Sequence, residues 1–383
     1  MRKLNILFIT HEGQFGGASK QLIVLANAFK EKGYGVTILT PFKNSPVNKV
    51  LNDNNIDTVS SLFGWWKMPS GMSIVKKLIF KLLSKFNIIS LIFIKRKLKR
   101  YKFDIVHSNS NVINIGVHIA KIKKAKHIWH FREYNSEFLD FIDNSNKSYM
   151  FINENAERII YVSNALKNHY EKKINPNLGC VIYDGVEGQG KVVKKFNRNL
   201  NGNLSLLIAA TLEENKGQLI AIRAIRLLHQ RGYKGVKLFL AGKDSSNYKK
   251  TLDNMIKEYD LNESIIFLGY IENMKTLRKN MDIELICSKY EAFGLSTVEA
   301  MMSSNPVIGT NISATSELII SGYNGLLFDY NSAEALAESI EFFINNPDKL
   351  KEYGENAFDY AMKNYSNEIM IKKIEDIYQD IIK

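Results

Sequence analysis

The most informative stretch of the chain is Ser288-Lys289-Tyr290-Glu291-Ala292-Phe293-Gly294-Leu295-Ser296-Thr297-Val298-Glu299. An apolar run at residues 283–287 precedes it, with the length and bounds of a buried strand, and an Ala- and Met-rich segment with helical spacing follows it. The stretch therefore predicts a strand, a glycine turn and a helix in succession, the repeating unit of an α/β fold.

Two carboxylates flank the predicted turn. A helix that begins near Ser296 leaves its first amides unpaired, and a diphosphate could accept hydrogen bonds from them. Glu299, in that first turn, is placed to accept hydrogen bonds from the two hydroxyls of a ribose, and Glu291 to reach a sugar beyond the phosphates. A capping box between Ser296 and Glu299, which stabilises a helix by about 1 kcal/mol, would explain only half of this pattern.

The pattern resembles the E-x7-E signature of the retaining glycosyltransferases of family 4, also called group 1. The resemblance implies a GT-B fold, in which two Rossmann-like doubly wound parallel-sheet domains face a cleft. It also implies that the donor substrate is a nucleotide-diphosphate sugar and that Glu291 is catalytic.

Length and composition agree with an enzyme of this size. The chain has 383 residues, 45% of them apolar, which can fill more than one core. Its two cysteines, Cys180 and Cys287, lie in separate apolar strands without metal-ligand spacing, which favours a reduced, cytoplasmic setting. The most apolar stretch, residues 78–94, is interrupted by Lys81 and Lys85, so we expect no membrane-spanning run.

Short apolar strands alternate with amphipathic helices, with strands expected at residues 6–10, 36–39, 104–107, 159–162, 206–209, 237–241 and 265–268. This alternation predicts parallel sheets, which bind ligands at the carboxyl ends of their strands. A polar, glycine-bearing segment predicts a linker at 188–203. We assign an acceptor-binding domain to residues 1–187 and a nucleotide-sugar-binding domain to residues 204–366. The resemblance implies that a last helix, 367–383, packs back on the first domain.

The loop after the first strand reads Glu12-Gly13-Gln14-Phe15-Gly16-Gly17-Ala18-Ser19 and runs into a predicted helix. Its backbone can approach a ligand closely. A nicotinamide-dinucleotide site would need Gly-x-Gly-x-x-Gly here and an acidic residue closing the second strand, which instead ends in Leu39-Thr40-Pro41. These differences argue against a dehydrogenase. In the family this loop lies over the donor phosphates and the acceptor, and Gly16 and Gly17 match its glycines.

His130 follows a short apolar strand, in Ile128-Trp129-His130-Phe131-Arg132-Glu133. A lone histidine in such a place is as often structural as functional. Family members place a histidine at the end of this strand, in contact with the donor sugar, so the resemblance makes His130 a catalytic candidate. Arg132 and Glu133 could equally form a local ion pair. His107, which closes the strand at 104–107, is a weaker candidate.

Lys216, in Glu213-Glu214-Asn215-Lys216-Gly217, follows the strand at 206–209. The nucleoside diphosphate that leaves in glycosyl transfer needs a fixed cation or a helix N-terminus, and Lys216 matches the family's phosphate-binding lysine. The family usually has an arginine where this chain has Thr211, so another donor such as Lys243 would have to compensate. The predicted catalytic residues are thus Glu291, His130 and Lys216, and the predicted donor-binding residues are Gly16, Gly17, Thr211, Lys216, Gly242, Phe293, Gly294, Leu295, Ser296 and Glu299.

The sequence shows no evident metal site. Asp282-x-Glu284 is the only pair like the carboxylate clamp of metal-dependent transferases, and its strand period puts both carboxylates on one solvated face, so we interpret it as structural. Because Lys216 and the helix near Ser296 can neutralise the diphosphate, we expect no metal and no other cofactor; the nucleotide sugar is a substrate.

The net charge of +13 is concentrated in the first half of the chain, where no acidic residue lies between Asp57 and Asp104. Basic residues beside aromatics suit an anionic membrane surface, although a solvated basic face is the alternative interpretation. We predict a peripheral protein on the inner face of the cell membrane. The predicted membrane-binding residues are Trp65, Trp66, Lys95, Arg96, Lys97, Lys99 and Arg100.

The sequence therefore predicts a retaining glycosyltransferase that moves a sugar from a UDP- or GDP-sugar to an acceptor hydroxyl. The expected acceptor is a glycan or lipid-linked glycan of surface polysaccharide or glycolipid synthesis. Two alternatives stay open. Thr211 is compatible with a catalytically silent partner of another glycosyltransferase, and the charge of +13 is compatible with nucleic-acid binding, although no base-stacking motif accompanies it and we expect no nucleic-acid partner.

Overall fold

The structure is a computed structural model that describes residues 2–69, 73–134, 139–141, 145–188, 203–244 and 247–383. The chain divides into two compact units: the first comprises residues 1–185 and 367–383, and the second comprises residues 186–366. The predicted linker, 188–203, lies almost entirely outside the described residues.

The first unit contains a parallel sheet with helices on both faces. Its strands are β1 (Asn5–Ile9), β2 (Gly35–Thr40), β3 (Asp57–Ser60), β4 (Lys67–Pro69), β5 (Ile105–Ser108), β6 (Lys126–Phe131), β7 (Leu139–Phe141), β8 (Arg158–Tyr161) and β9 (Gly179–Val181). Its helices are α1 (Gly17–Glu31), α2 (Pro46–Asp53), α3 (Ile74–Lys97), α4 (Ile115–Lys123), α5 (Ser145–Asn155) and α6 (Asn164–Tyr170). The strand order is β3-β2-β1-β5-β6-β8-β9, and β4 and β7 form a separate antiparallel pair.

The second unit repeats this architecture. Its strands are β10 (Leu204–Ala209), β11 (Val236–Ala241), β12 (Ile265–Gly269), β13 (Ile283–Ile286), β14 (Val307–Thr310) and β15 (Gly325–Phe328), in the order β12-β11-β10-β13-β14-β15. Its helices are α7 (Gln218–Gln230), α8 (Lys249–Glu258), α9 (Met274–Lys279), α10 (Leu295–Met302), α11 (Thr315–Leu318), α12 (Ala333–Asn345) and α13 (Pro347–Tyr365). The last helix, α14 (Asn367–Ile382), belongs to the first unit.

The central strands read as apolar runs because both of their faces are covered. In the first unit Ile6 and Phe8 of β1 pack with α1 and with Tyr378 of α14, whereas Leu7 and Ile9 pack against the opposite core, which includes Ile94 of α3. The second core forms around β10, β11, α7 and α12. The predicted strands are confirmed, each with bounds within two residues of those expected.

Strand order reverses once in each sheet, between β1 and β5 in the first unit and between β10 and β13 in the second. In doubly wound sheets, ligands bind in the crevice outside the carboxyl ends of the strands at this reversal. The fold therefore directs attention to the loops after β1 and β5 and, in the second unit, to the loops after β10 and β13.

Candidate functional site

In the second unit the loops after β10 and β13 meet at the strand-order reversal. The N–H of Lys289 donates to the carbonyl oxygen of Asn215 at 2.9 Å. Gly217, at φ +69°, lies so close to the other loop that a Cβ there would be 2.2 Å from the carbonyl oxygen of Cys287. Only glycine permits both this approach and this backbone conformation. The close packing fixes Lys216 beside the E-x7-E stretch.

Lys216 and Glu291 form an ion pair across these two loops. The Lys216 Nζ lies 2.8 Å from Glu291 Oε1, and the side chains are 21% and 19% exposed. The backbone of Glu291 is held as well, because its N–H donates to Ser313 Oγ and its carbonyl oxygen accepts from the same hydroxyl. The structure thus joins the predicted phosphate-binding lysine to the predicted sugar-binding carboxylate, and a ligand anion that binds Lys216 would compete with Glu291.

The E-x7-E helix begins one residue before the predicted start. Gly294, at φ +100°, is the N-cap of α10, so the helix opens at Leu295. The Ser296 hydroxyl donates to the carbonyl oxygen of Ala209 at 3.0 Å and thereby ties α10 to the end of β10. Ser296 lies inside the helix rather than at its N-cap, so no Ser296–Glu299 capping box forms. Phe293 is buried with its ring edge-on to that of Tyr365.

Glu299 is bound by a buried arginine that the sequence did not suggest. Arg278 of α9 donates from Nη1 to Glu299 Oε2 at 2.8 Å and from Nε and Nη2 to the two oxygens of Glu284. Glu284 is 0% exposed. The prediction that Asp282 and Glu284 share a solvated face is therefore wrong for Glu284, and Asp282 accepts from the N–H of Ser205. A single charged residue inside the apolar run 283–287 was the sequence signal for a buried partner.

Thr211 stands on the loop after β10, with its side chain exposed. Its carbonyl oxygen accepts from the Gln218 side-chain amide at 2.8 Å. The adjacent Leu212 N–H donates to the carbonyl oxygen of Lys243, which follows Gly242 at the end of β11. Lys243 is exposed, and its ammonium lies 4.7 Å from the centre of the Tyr270 ring. A cation therefore lies next to the loop on which the family usually carries its arginine.

In the first unit the loop after β1 leads directly into α1. Gly16 is the N-cap of α1, its N–H donates to Ser19 Oγ at 2.8 Å, and Gly17 is the first helical residue. His11 in this loop lies 3.4 Å from a Glu12 oxygen and 3.8 Å from an oxygen of Glu133. Burial raises the pKa of Glu12, but His11 and Ser19 outweigh it and hold that pKa below its usual value.

Two of these polar residues, His11 and Glu133, gather beside the loop after β5. The Ser110 hydroxyl donates to Glu133 Oε1 at 2.8 Å, and the Nδ1 of His11 has no hydrogen-bond partner among the described residues. Our sequence reasoning missed His11 and Glu12 as site residues, although both directly follow the first strand. His11 and Glu12 lie at the strand-order reversal between β1 and β5. The carboxyl edge of the first sheet is therefore a polar site, in addition to the one on the second unit.

His130 is fully buried, at 0% exposure, and lies within β6 rather than after it. Its Nδ1 is 3.3 Å from His107 Nε2 and 3.3 Å from an Arg132 nitrogen, while its Nε2 has no hydrogen-bond partner among the described residues. Burial and the charge of Arg132 hold the pKa of His130 well below its usual value, so the ring is neutral at physiological pH. Because the side chain is buried, the imidazole is not accessible to a ligand in this structure.

Arg132 does not pair with Glu133. Its Nη1 donates to both oxygens of Asp184, at 2.7 and 2.5 Å, and its Nε donates to Asn109 Oδ1. The alternative of a local Arg132–Glu133 ion pair is therefore wrong, because the two side chains leave the end of β6 in different directions. His107, the weaker candidate, is buried and bonded through Nδ1 to the Tyr378 hydroxyl at 2.6 Å.

The predicted membrane-binding residues divide into two groups. Trp65 and Trp66 are half-buried and donate their indole N–H groups to the carbonyl oxygens of His11 and Asn111, so both indoles face into the unit. The basic residues at the end of α3 are exposed, although Lys97 donates to the carbonyl oxygen of Ser60. Within the described part of the chain, no helix is both long and apolar enough to span a membrane.

The described residues contain no group of three or more His, Cys, Asp or Glu side chains arranged to hold a metal ion.

Comparison with known proteins agrees with this architecture. The model of Glycosyltransferase Family 4 matches residues 15–188, and the model of Glycosyl transferases group 1 matches residues 189–360. An uncharacterized glycosyltransferase of Methanocaldococcus jannaschii is 29% identical over 235 residues, which cover 61% of this chain and 62% of that protein. The capsular polysaccharide biosynthesis glycosyltransferase CapM of Staphylococcus aureus is 24% identical over 243 residues, 61% of each chain. The chain thus matches about three fifths of the length of these two relatives.

Among solved structures, Anabaena HepE in complex with UDP and glucose superposes with a TM-score of 0.79 at 20% identity. The superposition covers 98% of this chain and 99% of that one. The two parallel-sheet units therefore have the GT-B fold.

Proposed function

Because the chain belongs to the group 1 glycosyltransferases, we propose that it transfers a sugar from a UDP- or GDP-sugar to an acceptor hydroxyl with retention of anomeric configuration. The observation that carries this proposal is the Lys216–Glu291 ion pair at the strand-order reversal of the second unit, next to the helix that presents Glu299. The UDP and glucose in the HepE complex support a nucleotide-sugar donor.

Each residue of the second-unit site has a part in this reaction. Lys216 binds the diphosphate and neutralises the charge that grows as it leaves. Glu291, released from Lys216 by the incoming phosphate, accepts hydrogen bonds from hydroxyls of the transferred sugar. Glu299 accepts from the ribose, and the first amides of α10 face the phosphates. The presence of all three side chains at one crevice favours an active enzyme over a silent partner.

The bond changes need no separate general base. The acceptor oxygen bonds to the anomeric carbon on the face from which the diphosphate departs, while the bond from that carbon to the phosphate oxygen breaks. The acceptor proton passes to the departing phosphate oxygen. Lys216 and the α10 amides offset the charge on that oxygen, so we propose that neither a metal nor another cofactor takes part.

A panel of UDP- and GDP-sugars, incubated with the protein in excess EDTA, tests this function. We expect at least one donor to be hydrolysed slowly or transferred to an added acceptor, and proton NMR should show the product with the anomeric configuration of the donor. An inverted product, or activity that EDTA abolishes and Mg²⁺ restores, would count against the proposed mechanism.

Glu299 and Glu291 should have separable effects. Because Glu299→Ala removes a charge-assisted contact to the ribose, it should weaken binding of the preferred nucleoside diphosphate about 10- to 100-fold. Glu291→Gln should leave that affinity equal or higher, since it loses a competitor for Lys216, while lowering kcat. Isothermal titration and steady-state kinetics would measure both effects. Glu334→Gln, on the exposed side of α12, is the matched control and should change neither quantity.

We further propose that the protein works peripherally on the cytoplasmic face of the membrane, on a glycan or lipid-linked acceptor. CapM, a relative named for capsular polysaccharide biosynthesis, supports such an acceptor. The face of α3 supports the membrane. On this helix the polar side chains of Asn87 and Ser90 are buried, and large apolar side chains face outward, each at least 46% exposed: Val75, Leu78, Ile79, Phe86, Ile89, Ile92 and Phe93.

Exposed cations surround this apolar face, and the pairing suits an anionic bilayer. Lys95, Arg96, Lys99 and Arg100 are exposed at its carboxyl end, and Lys76 and Lys77 are exposed at its start. Apolar side chains can enter the headgroup region, and each basic residue near an anionic surface contributes about 1 kcal/mol. The membrane proposal therefore depends on the outward face of α3 and its basic end, and not on the two inward-facing tryptophans.

Liposome co-sedimentation should show binding that requires anionic lipid and weakens as salt rises. One variant changes Lys95, Arg96, Lys99 and Arg100 to Ser and should lose the liposome binding that is sensitive to salt. A second variant changes Phe86, Ile89 and Phe93 to Gln and should lose the liposome binding that persists at high salt. The matched control changes Lys250, Lys257, Lys275 and Lys351 of the second unit to Ser and should bind like the wild type. Equal binding by all three variants would reject this surface.

A further inference from the structure

A buried ionic cluster stands behind Glu299. Arg278 is 3% exposed and Glu284 is 0% exposed, whereas Glu299 is 20% exposed. The guanidinium contacts Glu284 through Nε at 2.7 Å and Nη2 at 2.9 Å, and it contacts Glu299 through Nη1 at 2.8 Å. Glu299 is thus the member of the cluster that reaches the surface of the crevice.

Stability alone does not account for this cluster. Glu284 lies inside β13, where it pairs in register with Leu207 of β10 and Val307 of β14, a place in which an apolar side chain would fit. A buried ion pair costs desolvation that its attraction only partly offsets, and well-packed apolar replacements are often neutral or stabilising. Folding stability therefore does not require Arg278 and Glu284 at this place in the core, which indicates another role for the pair.

The geometry of the fork indicates that role. Glu284 occupies two donors of the guanidinium in a bidentate contact, which fixes the plane of the group. The third nitrogen, Nη1, then donates to Glu299 from a fixed direction. Burial lowers the pKa of Arg278, but Glu284 and Glu299 outweigh it and raise that pKa above its usual value, so the cation persists at any working pH. A lysine could not make both contacts with one planar group.

We infer that Arg278 is a positioning residue that, held by Glu284, orients the Glu299 carboxylate toward the ribose of the donor nucleotide. This inference rests on the proposed function, since it names what Glu299 recognises. It extends the E-x7-E stretch to two residues outside it, one on α9 and one on β13. The ribose preference of the site then depends on Arg278 and Glu284, two buried residues that do not touch the ligand.

The test compares UDP with 2′,3′-dideoxy-UDP, and GDP with its dideoxy analogue, by isothermal titration. The wild type should prefer the ribose form about 10- to 100-fold. In the double variant Arg278→Met with Glu284→Leu, which replaces the ion pair with apolar side chains, we expect this preference to fall to about onefold to threefold with dideoxy affinity unchanged. Adding Glu299→Ala to the double variant should not lower the affinity for the ribose form any further.

Arg278→Lys is the second variant, because it keeps the positive charge and loses the planar guanidinium. Its ribose preference should lie between that of the wild type and that of the double variant. A double variant that keeps the full preference would overturn the inference while leaving the proposed function intact. Equal loss of ribose and dideoxy affinity would also overturn it, since it would indicate a structural role. A wild-type protein that binds neither UDP nor GDP would overturn both.

Discussion

Replacement of Lys216 with alanine should lower kcat/KM by about 30- to 1000-fold, which corresponds to about 2 to 4 kcal/mol of transition-state stabilisation. The negative charge on the diphosphate grows as the diphosphate leaves, so we expect Lys216 to bind it more strongly in the transition state than in the ground state. In the free protein the lysine is paired with Glu291 and both side chains are about one-fifth exposed, so the variant loses a largely buried ion pair as well as the phosphate contact. A melting temperature measured for the variant separates the two effects, because only the phosphate contact changes kcat/KM of the folded protein.

Lys243→Ala is the comparison variant for this prediction. Lys243 is exposed beside the Thr211 loop, with its ammonium over the Tyr270 ring. If Lys243 compensates for the absent arginine, its loss should cost less than that of Lys216, and the two losses should add. Steady-state kinetics with the preferred nucleotide sugar would measure both. A mild effect of Lys216→Ala together with a large effect of Lys243→Ala would move the phosphate site to the second lysine.

Lowering the pH from 7 to 5 should reduce the free energy of unfolding of the first unit by about 4 to 6 kcal/mol. Three fully buried histidines cause most of this loss, and His118, whose pKa is also lowered by burial and by the charge of Lys121, adds a smaller part. Burial lowers the pKa of His127 to about 3, and burial with the charge of Arg132 lowers the pKa of His107 and of His130 well below the usual value. The unfolded chain binds protons at these residues below pH 6.5 and the native unit does not, so stability is full above pH 6.5 and falls as the pH drops.

Urea unfolding followed by tryptophan fluorescence would measure this loss. All three tryptophans of the chain, Trp65, Trp66 and Trp129, lie in the first unit, so the signal reports that unit. His127→Gln should remove about one third of the loss that the three fully buried histidines cause, because it deletes one of those groups. Glu12 and Glu375, whose pKa values are lowered, titrate below this window. A stability that stays flat between pH 7 and pH 5 would contradict the burial of these rings.

The elements of the fold were predictable because their signals are local. A buried parallel strand is a short apolar run, and a glycine turn before a helix marks the loop that follows it. The stretch from Ser288 to Glu299 therefore predicted its strand, turn and helix, and the spacing of Glu291, Glu299 and Lys216 gave the resemblance to the group 1 glycosyltransferases. The family models and the GT-B likeness confirm the family and the fold.

The partners of the polar side chains were not predictable, because they lie far apart in sequence or face an unexpected direction. Arg132 pairs with Asp184 rather than with its neighbour Glu133. His130 lies inside β6 and not after it, and its ring is in a buried cluster with His107. Trp65 and Trp66 turn inward, whereas seven large apolar side chains of α3 turn outward. The hydrophobic periodicity of a helix identifies its apolar face, but only packing decides whether that face contacts the core or the solvent.

The sequence by itself determined the order of strands and helices, the two Rossmann-like domains and the residue types available to a nucleotide-sugar site. Apolar period and glycine placement act over a few residues, so they can be read without the fold. Only the tertiary structure decided that Lys216 meets Glu291 and that Glu299 is held from behind by Arg278 and Glu284. The Lys216–Glu291 contact arises where the order of parallel strands reverses, which brings together two loops that the chain separates by β11, β12 and β13 and the helices α7, α8 and α9.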